Sequence, residues 1–547
     1  MKLMLSTIVG GLLILFTVWL SRFIIQFRKQ RAFYKTVPCP PHDYWWGHLK
    51  LVGETMRELP QDFHYQQLMA YIGQKYNMPP VFYLDMWPAS YPLMMIFDPE
   101  VASQLTQTTP QLKHPVNRAF VTPLVGSPSI VAVDGPEWKL IRSIVISGFA
   151  PSYIASLTPI LAKHVTRFME KMSNFSETGE VFPTQDQTSL LTFDVISEIV
   201  LGTDRDSQRN FDRLAYHFKH ASRLCNSPSF SPKWYLLAIP RWWHASRQTK
   251  IITAAIHERH ANPPDIRGRA AIDLFIKAYS DEKLNPEHKP NLDPTRDAYF
   301  MRMAVCNVKS LLLGGHDTTS STISYTLALL STHPSALQTM RTEHNSVFGR
   351  SQPFSTIAKR LSAQPSLLSD SNLPYTTACI RETLRIFSPA SSTRAARPDG
   401  PRTVRFRDRD LPITGQQMWI AHIGFGMRAD LFPRPNDFLP ERHLPDSPLG
   451  PVPKDAWRAF EKGPRACLGV ELAMNEMKMV LLGMVAEGWL DRLEVAYPRD
   501  APRAPAGFGG VGGERRWFQK IEFSAKPVLG MPMRVVAGKG GEKGKVR

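Results

Sequence analysis

The sequence predicts a mainly α-helical fold with a minor β part, carried on an amino-terminal transmembrane helix. Three observations lead there. Leu3 to Ser21 contains no charged residue. Apolar patterns of helical period fill most of the stretch from about 135 to 390, broken by proline-bearing loops. Short β-like pieces, among them Gln417 to Ile423, WFQKIEF and PMRVV, are confined to the carboxyl-terminal part.

Taken in order, the first element is the apolar helix. At 1.5 Å per residue, Leu3 to Ser21 spans roughly 28 Å, close to the thickness of a hydrocarbon core. A cleaved signal peptide competes with this reading, but the apolar run is long for one and no small-residue cleavage site follows. Arg22, Arg28, Lys29, Arg31 and Lys35 come next, with no acid before Asp43. That asymmetry places the carboxyl side of the helix in the cytosol. Residues 1–27 are therefore read as the anchor and 28–50 as a basic, proline-rich linker whose VPCPPHDYWWGHL segment stiffens the exit. Residues 51–537 form one domain, because no internal stretch has the composition of a linker. Residues 538–547 are a solvated basic tail.

Composition narrows the function classes. With 43% hydrophobic and 21% charged residues, the 547-residue chain is expected to fold around a sizeable core. Its five cysteines are odd in number and lack CxxC spacing, which argues against a disulfide framework or a zinc site. The net charge of +18 raises nucleic acid as a partner, but Lys and Arg are spread along the whole chain without a recognisable binding module. No nucleic-acid partner is expected; a basic surface beside anionic lipid or an acidic protein accounts for the charge.

The strongest chemical signal is FEKGPRACLG, Phe460 to Gly469, placed just before a helix running through ELAMNEMKMVLLGMVAEGW. A helix N-terminus favours a thiolate at Cys467, the form that binds iron. Gly463 and Gly469 permit a tight turn and close approach to a flat macrocycle, Arg465 offers a fork for a carboxylate, and Phe460 can shield the sulfur. The window matches FxxGxRxCxG at all five defining positions and resembles the cysteine-ligand loop of the cytochrome P450 haem-thiolate monooxygenases.

Three further motifs follow that family's order. LLLGGHDTTSST lies in a helix expected over Arg302 to Thr332. Its paired glycines, Gly314 and Gly315, imply local distortion or a close neighbour, and taken alone the pattern is equally a kinked helix with polar caps. It resembles the family's oxygen-activation motif, which implies proton-guiding roles for Asp317 and Thr318. His316 is either a polar wall of the pocket or a satisfied helix histidine. ETLR sets Glu382 and Arg385 on one helical face. With Arg442 of FLPERHL, the resemblance makes these a structural ion network, His443 standing where the family has an aromatic. WKLIR sets Trp138 and Arg142 on one face; the resemblance puts them on a haem propionate, with Arg394 a further candidate unless it is a surface arginine.

The resemblance implies a helical prism enclosing haem b, ligated by Cys467. It implies electrons from NADPH through NADPH-cytochrome P450 reductase, and insertion of one oxygen atom into a lipophilic small molecule. The wording FEKGPRAC and the tail SAKPVLGMPMRVV are most similar to fungal secondary-metabolite enzymes. An endoplasmic-reticulum anchor with a cytosolic catalytic domain is expected. Rivals are a haem-thiolate isomerase or dehydratase and a non-catalytic haem protein. Pocket candidates are residues 115–135, Leu311 to Leu313, Ala390 to Thr393 and the loop near Gly509. Lys139, Arg458 and Lys462 are candidates for a reductase-docking face. PKWYLLAIPRWWH is either a membrane-interface segment or core. The serine-rich stretch Gly349 to Asp370 reads as a surface excursion.

Overall fold

A computed structural model describes residues 2–226, 231–263, 270–281, 283–284, 293–505 and 511–536. The expected basic tail and the loop position at Gly509 lie outside these residues. The helices that matter below are α1 (Lys2–Phe33), α2 (Pro115–Val125), α3 (Gly135–Val145), α4 (Thr158–Thr178), α5 (Thr184–Leu201), α6 (Arg213–Arg223) and α7 (Ala238–Ala261). They continue with α8 (Ala298–Thr332), α9 (Phe354–Ala363), α10 (Pro374–Ile386) and α11 (Val470–Ala486).

Helix α8 is the axis of the molecule. It starts at Asp297, whose carboxylate accepts from the Tyr299 and Phe300 amides, and stops before His333-Pro334, where the ring disfavours further α geometry. Its 35 residues extend about 52 Å, and 26 of them are buried. The helix is continuous through Gly314 and Gly315, so the glycines serve proximity and not a break. A Cβ at Gly315 would stand 2.4 Å from Ile196 of α5, and this lets α5 and α8 pack closely.

One five-stranded sheet flanks the helices: β1 (Val81–Leu84), β2 (Leu93–Ile96), β3 (Leu112–Lys113), β4 (Ser392–Ala395) and β5 (Gln417–Ile420), in the order β1-β2-β5-β4-β3. The strand expected to reach Ile423 ends at Ile420 and turns into a short helix, His422–Gly426. Packing explains the early stop, since a Cβ at Gly424 would meet the Phe97 ring at 2.2 Å. The hairpin β6 (Gln519–Ile521) and β7 (Ala525–Pro527) reaches back to α8.

Three expectations change. The stretch Gly349 to Asp370 is no loose excursion: α9 buries Phe354, Ile357 and Leu361 against α4 and α11 and turns its serines outward. Residues 28–50 are docked on the sheet. Arg31 forms a buried ion pair with Asp85 and donates to the Tyr44 and Trp45 carbonyls, both at 2.7 Å. His443 is more than a packing substitute. Its Nε2 lies 3.0 Å from Glu382, joining Arg385 at 2.8 Å and Arg442 at 3.0 Å around one buried carboxylate.

Candidate active site

The Cys467 loop owes its shape to contacts on both sides. Gly463 sits at φ +84°, and a Cβ there would lie 2.0 Å from the Thr106 carbonyl oxygen, so this glycine serves loop packing and does not border the cavity. The Cys467 amide donates to Phe460 O at 2.9 Å, closing the loop. Gly469 precedes the first turn of α11, and its amide donates to the Cys467 sulfur. Burial pushes the Cys467 thiol up, against the opposing pull of that amide and of Arg142. The helix N-terminus therefore does not ionise the sulfur by itself; a cation at the sulfur completes the job.

The sulfur faces a largely apolar cavity of about 330 Å3, between α8 and the start of α11. Phe460, Cys467 and Gly469 line it from the loop side, and Gly314, Gly315 and Thr318 line it from α8. Of the expected substrate-contacting stretches, Ile130, Val131, Leu311, Ala390, Ser391 and Ser392 reach its wall. The Thr318 hydroxyl donates to Gly314 O at 3.0 Å. Asp317 turns the other way. Its carboxylate accepts from the Ser524 amide at 3.1 Å and pairs with Lys526 of β7 at 3.1 Å, beside a second polar cavity. Burial would raise the Asp317 pKa, but the Lys526 and His316 charges hold it below the ordinary range. His316 Nδ1 donates to Leu312 O, 2.7 Å away, and the ring faces Phe193 and Phe218, so it is the satisfied helix histidine and not a wall of the main cavity.

A cationic cluster borders the same cavity. Arg142 and Trp138 come from α3, whose 3.6-residue period puts them on one face; Arg142 donates to Ala466 O at 3.4 Å. Arg465 lies over the Trp138 ring at 3.9 Å and pairs with Asp134. Arg394 is buried in β4 near Glu461 and Asp134, behind the wall and not on it. Lys113 is the residue that sequence reasoning missed. It lies opposite Arg394 in the β3–β4 ladder, faces the cavity, and donates to Val131 O at 2.7 Å. Burial first, then Arg465 and Arg394, push its pKa down to about 7. No motif marks a lysine in a two-residue strand.

Lys113, Arg142 and Arg465 thus line the cavity with Arg394 behind them; of the nearby acids, Asp134 pairs with Arg465, Glu461 is held by Arg458 and Ser392, and burial pushes the Glu476 carboxyl up toward its neutral form. The mutual repulsion of the cations calls for anionic groups in the cavity. A haem with two carboxylates and an iron at Cys467 supplies both missing charges, and the residues present fit it.

A cytochrome P450 family model matches residues 37–488. Cytochrome P450 monooxygenase acrF of Aspergillus aculeatus is 32% identical, over 87% of this chain and 98% of its own length. Cytochrome P450 monooxygenase polC of Polytolypa hystricis is 31% identical, over 87% and 86%. The crystal structure of the cytochrome P450DA heme domain superposes with a TM-score of 0.67 at 18% identity, covering 92% of this chain and 97% of that one. With the ExxR network, the thiol at its cavity and a family match over most of its length, this chain belongs to the cytochrome P450 family.

Proposed function

We propose that this monooxygenase inserts one oxygen atom into a lipophilic small molecule, as a tailoring step in fungal secondary metabolism. The observation that carries the reading is a cavity with apolar walls into which both the Cys467 thiol and the Thr318 hydroxyl face. Trp138, Arg142, Arg465 and Lys113 would hold haem b by its carboxylates, and Cys467 would bind its iron. When bound, the haem activates dioxygen so that one atom enters the substrate and the other leaves as water, using two electrons passed from NADPH by a reductase. Cys467 would lend negative charge to the iron, shielded by Phe460. Thr318 offers a hydroxyl at the cavity, and Asp317 stands on the opposite, buried face of the same helix turn against Lys526, so a proton passing between them crosses α8. Leu311, Ile130 and Val131 exclude water and favour apolar substrates.

The setting we propose is the endoplasmic-reticulum membrane, with the catalytic domain in the cytosol. Supporting this, α1 contains a span, Ile8–Phe33, long and apolar enough to cross a bilayer. In PKWYLLAIPRWWH, Trp234 is core, while Leu236, Ile239 and Trp242 are 80%, 78% and 68% exposed. Such apolar exposure suits a lipid interface. Arg458 is 2% exposed and drops out of the reductase-docking face; Lys139, exposed on α3, and the half-buried Lys462 remain in it.

The test is comparative metabolite profiling of the source organism with and without the gene. A precursor that accumulates is then offered to membranes carrying the enzyme, a reductase and NADPH under 18O2. The expected product carries one 18O atom. Conversion without oxygen or NADPH would replace this reading with the isomerase, and a converted precursor without label would also reject it.

A further inference from the structure

Helix α11 carries a buried carboxyl that the chain leaves unsatisfied. Glu476 is 2% exposed, and its Oε1 is buried without a hydrogen-bond partner. Leu472, Ala473, Glu476 and Met477 fall at i, i+1, i+4 and i+5, so they share one face, and that face borders the main cavity. From α8, which packs on α11, Thr319 and Thr322 border the same cavity. The Thr322 hydroxyl donates to Thr318 O at 3.2 Å, whereas the Thr319 hydroxyl is free among the described residues. Burial pushes the Glu476 carboxyl well above the ordinary carboxylate range, with no neighbouring charge opposing it. Glu476 therefore keeps its proton and has one to give. Asp317 differs in both respects: Lys526 and His316 hold it ionised, and it stands on the far face of α8.

We infer that Glu476 is a proton donor to the cavity, acting through a water at the Thr319 hydroxyl on the oxygen atom that leaves as water. The inference rests on the monooxygenase reading. Forming that water consumes two electrons, which come from NADPH, and two protons, of which Glu476 supplies one. The carboxyl O–H bond breaks as the water at Thr319 accepts the proton, and that water passes on one of its own. The second proton arrives across α8, from the Asp317 side. A carboxylate left among apolar neighbours is poorly solvated, so Glu476 takes a proton back from solvent when product leaves and water refills the cavity. The acid is then reset, and no net charge accumulates on α11. Packing alone would be served by another leucine or methionine, the residues that fill the rest of this face. A neutral, unpartnered carboxyl there needs a partner that enters the cavity, and a water opposite Thr319 supplies one.

The experiment uses the full-length, haem-loaded protein in detergent, as wild type, E476Q and T319V. Infrared difference spectra of the reduced carbon monoxide complex, before and after photolysis, should show in wild type the carbonyl stretch of a protonated carboxyl, shifted in D2O. E476Q keeps the size of the side chain but has no acidic proton, and it should lack that band; T319V should retain it. With reductase, NADPH and the precursor found by metabolite profiling, both variants should still consume NADPH. Product formed per NADPH should fall on the order of a hundredfold, the electrons appearing instead as hydrogen peroxide. The thiolate–haem carbon monoxide band should stay in both, which a merely structural role for Glu476 would not combine with lost coupling. A wild type without the D2O-sensitive band, or a band that survives E476Q, overturns the proposal. So does a wild-type yield of product per NADPH in either variant. The wild-type band and T319V decide the matter even where E476Q fails to fold. A wild type that forms no 18O-labelled product counts instead against the monooxygenase reading.

Discussion

Cys467 is one of five cysteines, and its surroundings alone set it apart. Cys225 and Cys379 are buried, whereas Cys467 opens onto the main cavity and receives an amide hydrogen bond. Cys467→Ala should abolish the thiolate–haem carbon monoxide band and all turnover, and Cys225→Ala should retain both, as read by difference spectroscopy. Glu382 is the second residue-scale case. Burial would raise its pKa, but Arg385, then His443, hold it well below the ordinary carboxylate value. A depressed folded-state pKa contributes stability above the unfolded value of about 4.3 and loses it as pH falls toward the folded one. Acid unfolding of the wild type should therefore steepen below about pH 4. Glu382→Gln should cost roughly 3–5 kcal/mol near neutrality and flatten that acid limb, because two buried arginines lose their counter-charge. Chemical denaturation against pH measures both.

At the scale of elements, the two glycines of α8 divide the work between packing and cavity. Gly314 has nothing within 4 Å of a would-be Cβ and faces the cavity, while Gly315 is pressed against Ile196. Gly315→Ala should force α5 and α8 apart and cost about 1–3 kcal/mol, visible as a lower melting temperature. Gly314→Ala should leave the melting temperature within about 2 °C and change only ligand-induced spectral shifts, since a methyl group there enters the cavity. The motif GGHDTT was legible in the sequence, but its division was not. Periodicity places Asp317 and Thr318 about 100° apart on a helix, yet which of them meets the cavity depends on β7 delivering Lys526 to the other face. The stretch Gly349 to Asp370 hides α9 for a related reason: a ten-residue helix buries only three apolar side chains, too few to stand out against its serines.

For the whole molecule, α1 and the exposed apolar residues of α7 make a common prediction. A chain lacking residues 1–27 should still bind anionic vesicles, and Ile239→Asp with Trp242→Asp in that chain should reduce the bound fraction several-fold in flotation assays. Equal flotation of the two truncated chains would remove this surface from the membrane interface. The docked segment 28–50 acts at the same scale. Arg31 sits in a buried ion pair with Asp85, which ties the carboxyl end of the apolar helix to the end of β1.

Taken alone, the sequence determined the helical class, an apolar helix long enough to cross a bilayer, the order of the four motifs and which of the five cysteines meets the main cavity. Each of these is written in local order, whether as helical period, charge asymmetry, or a ten-residue loop whose glycines and cysteine act within one turn. Tertiary structure decided what depends on residues far apart in the chain. It brought Lys113 and Arg394 together across a ladder, buried Arg458, drew His443 onto Glu382 and set Asp317 against Lys526. These are pairings of charges, and a charge declares its partner only when folding removes the water that would otherwise screen it.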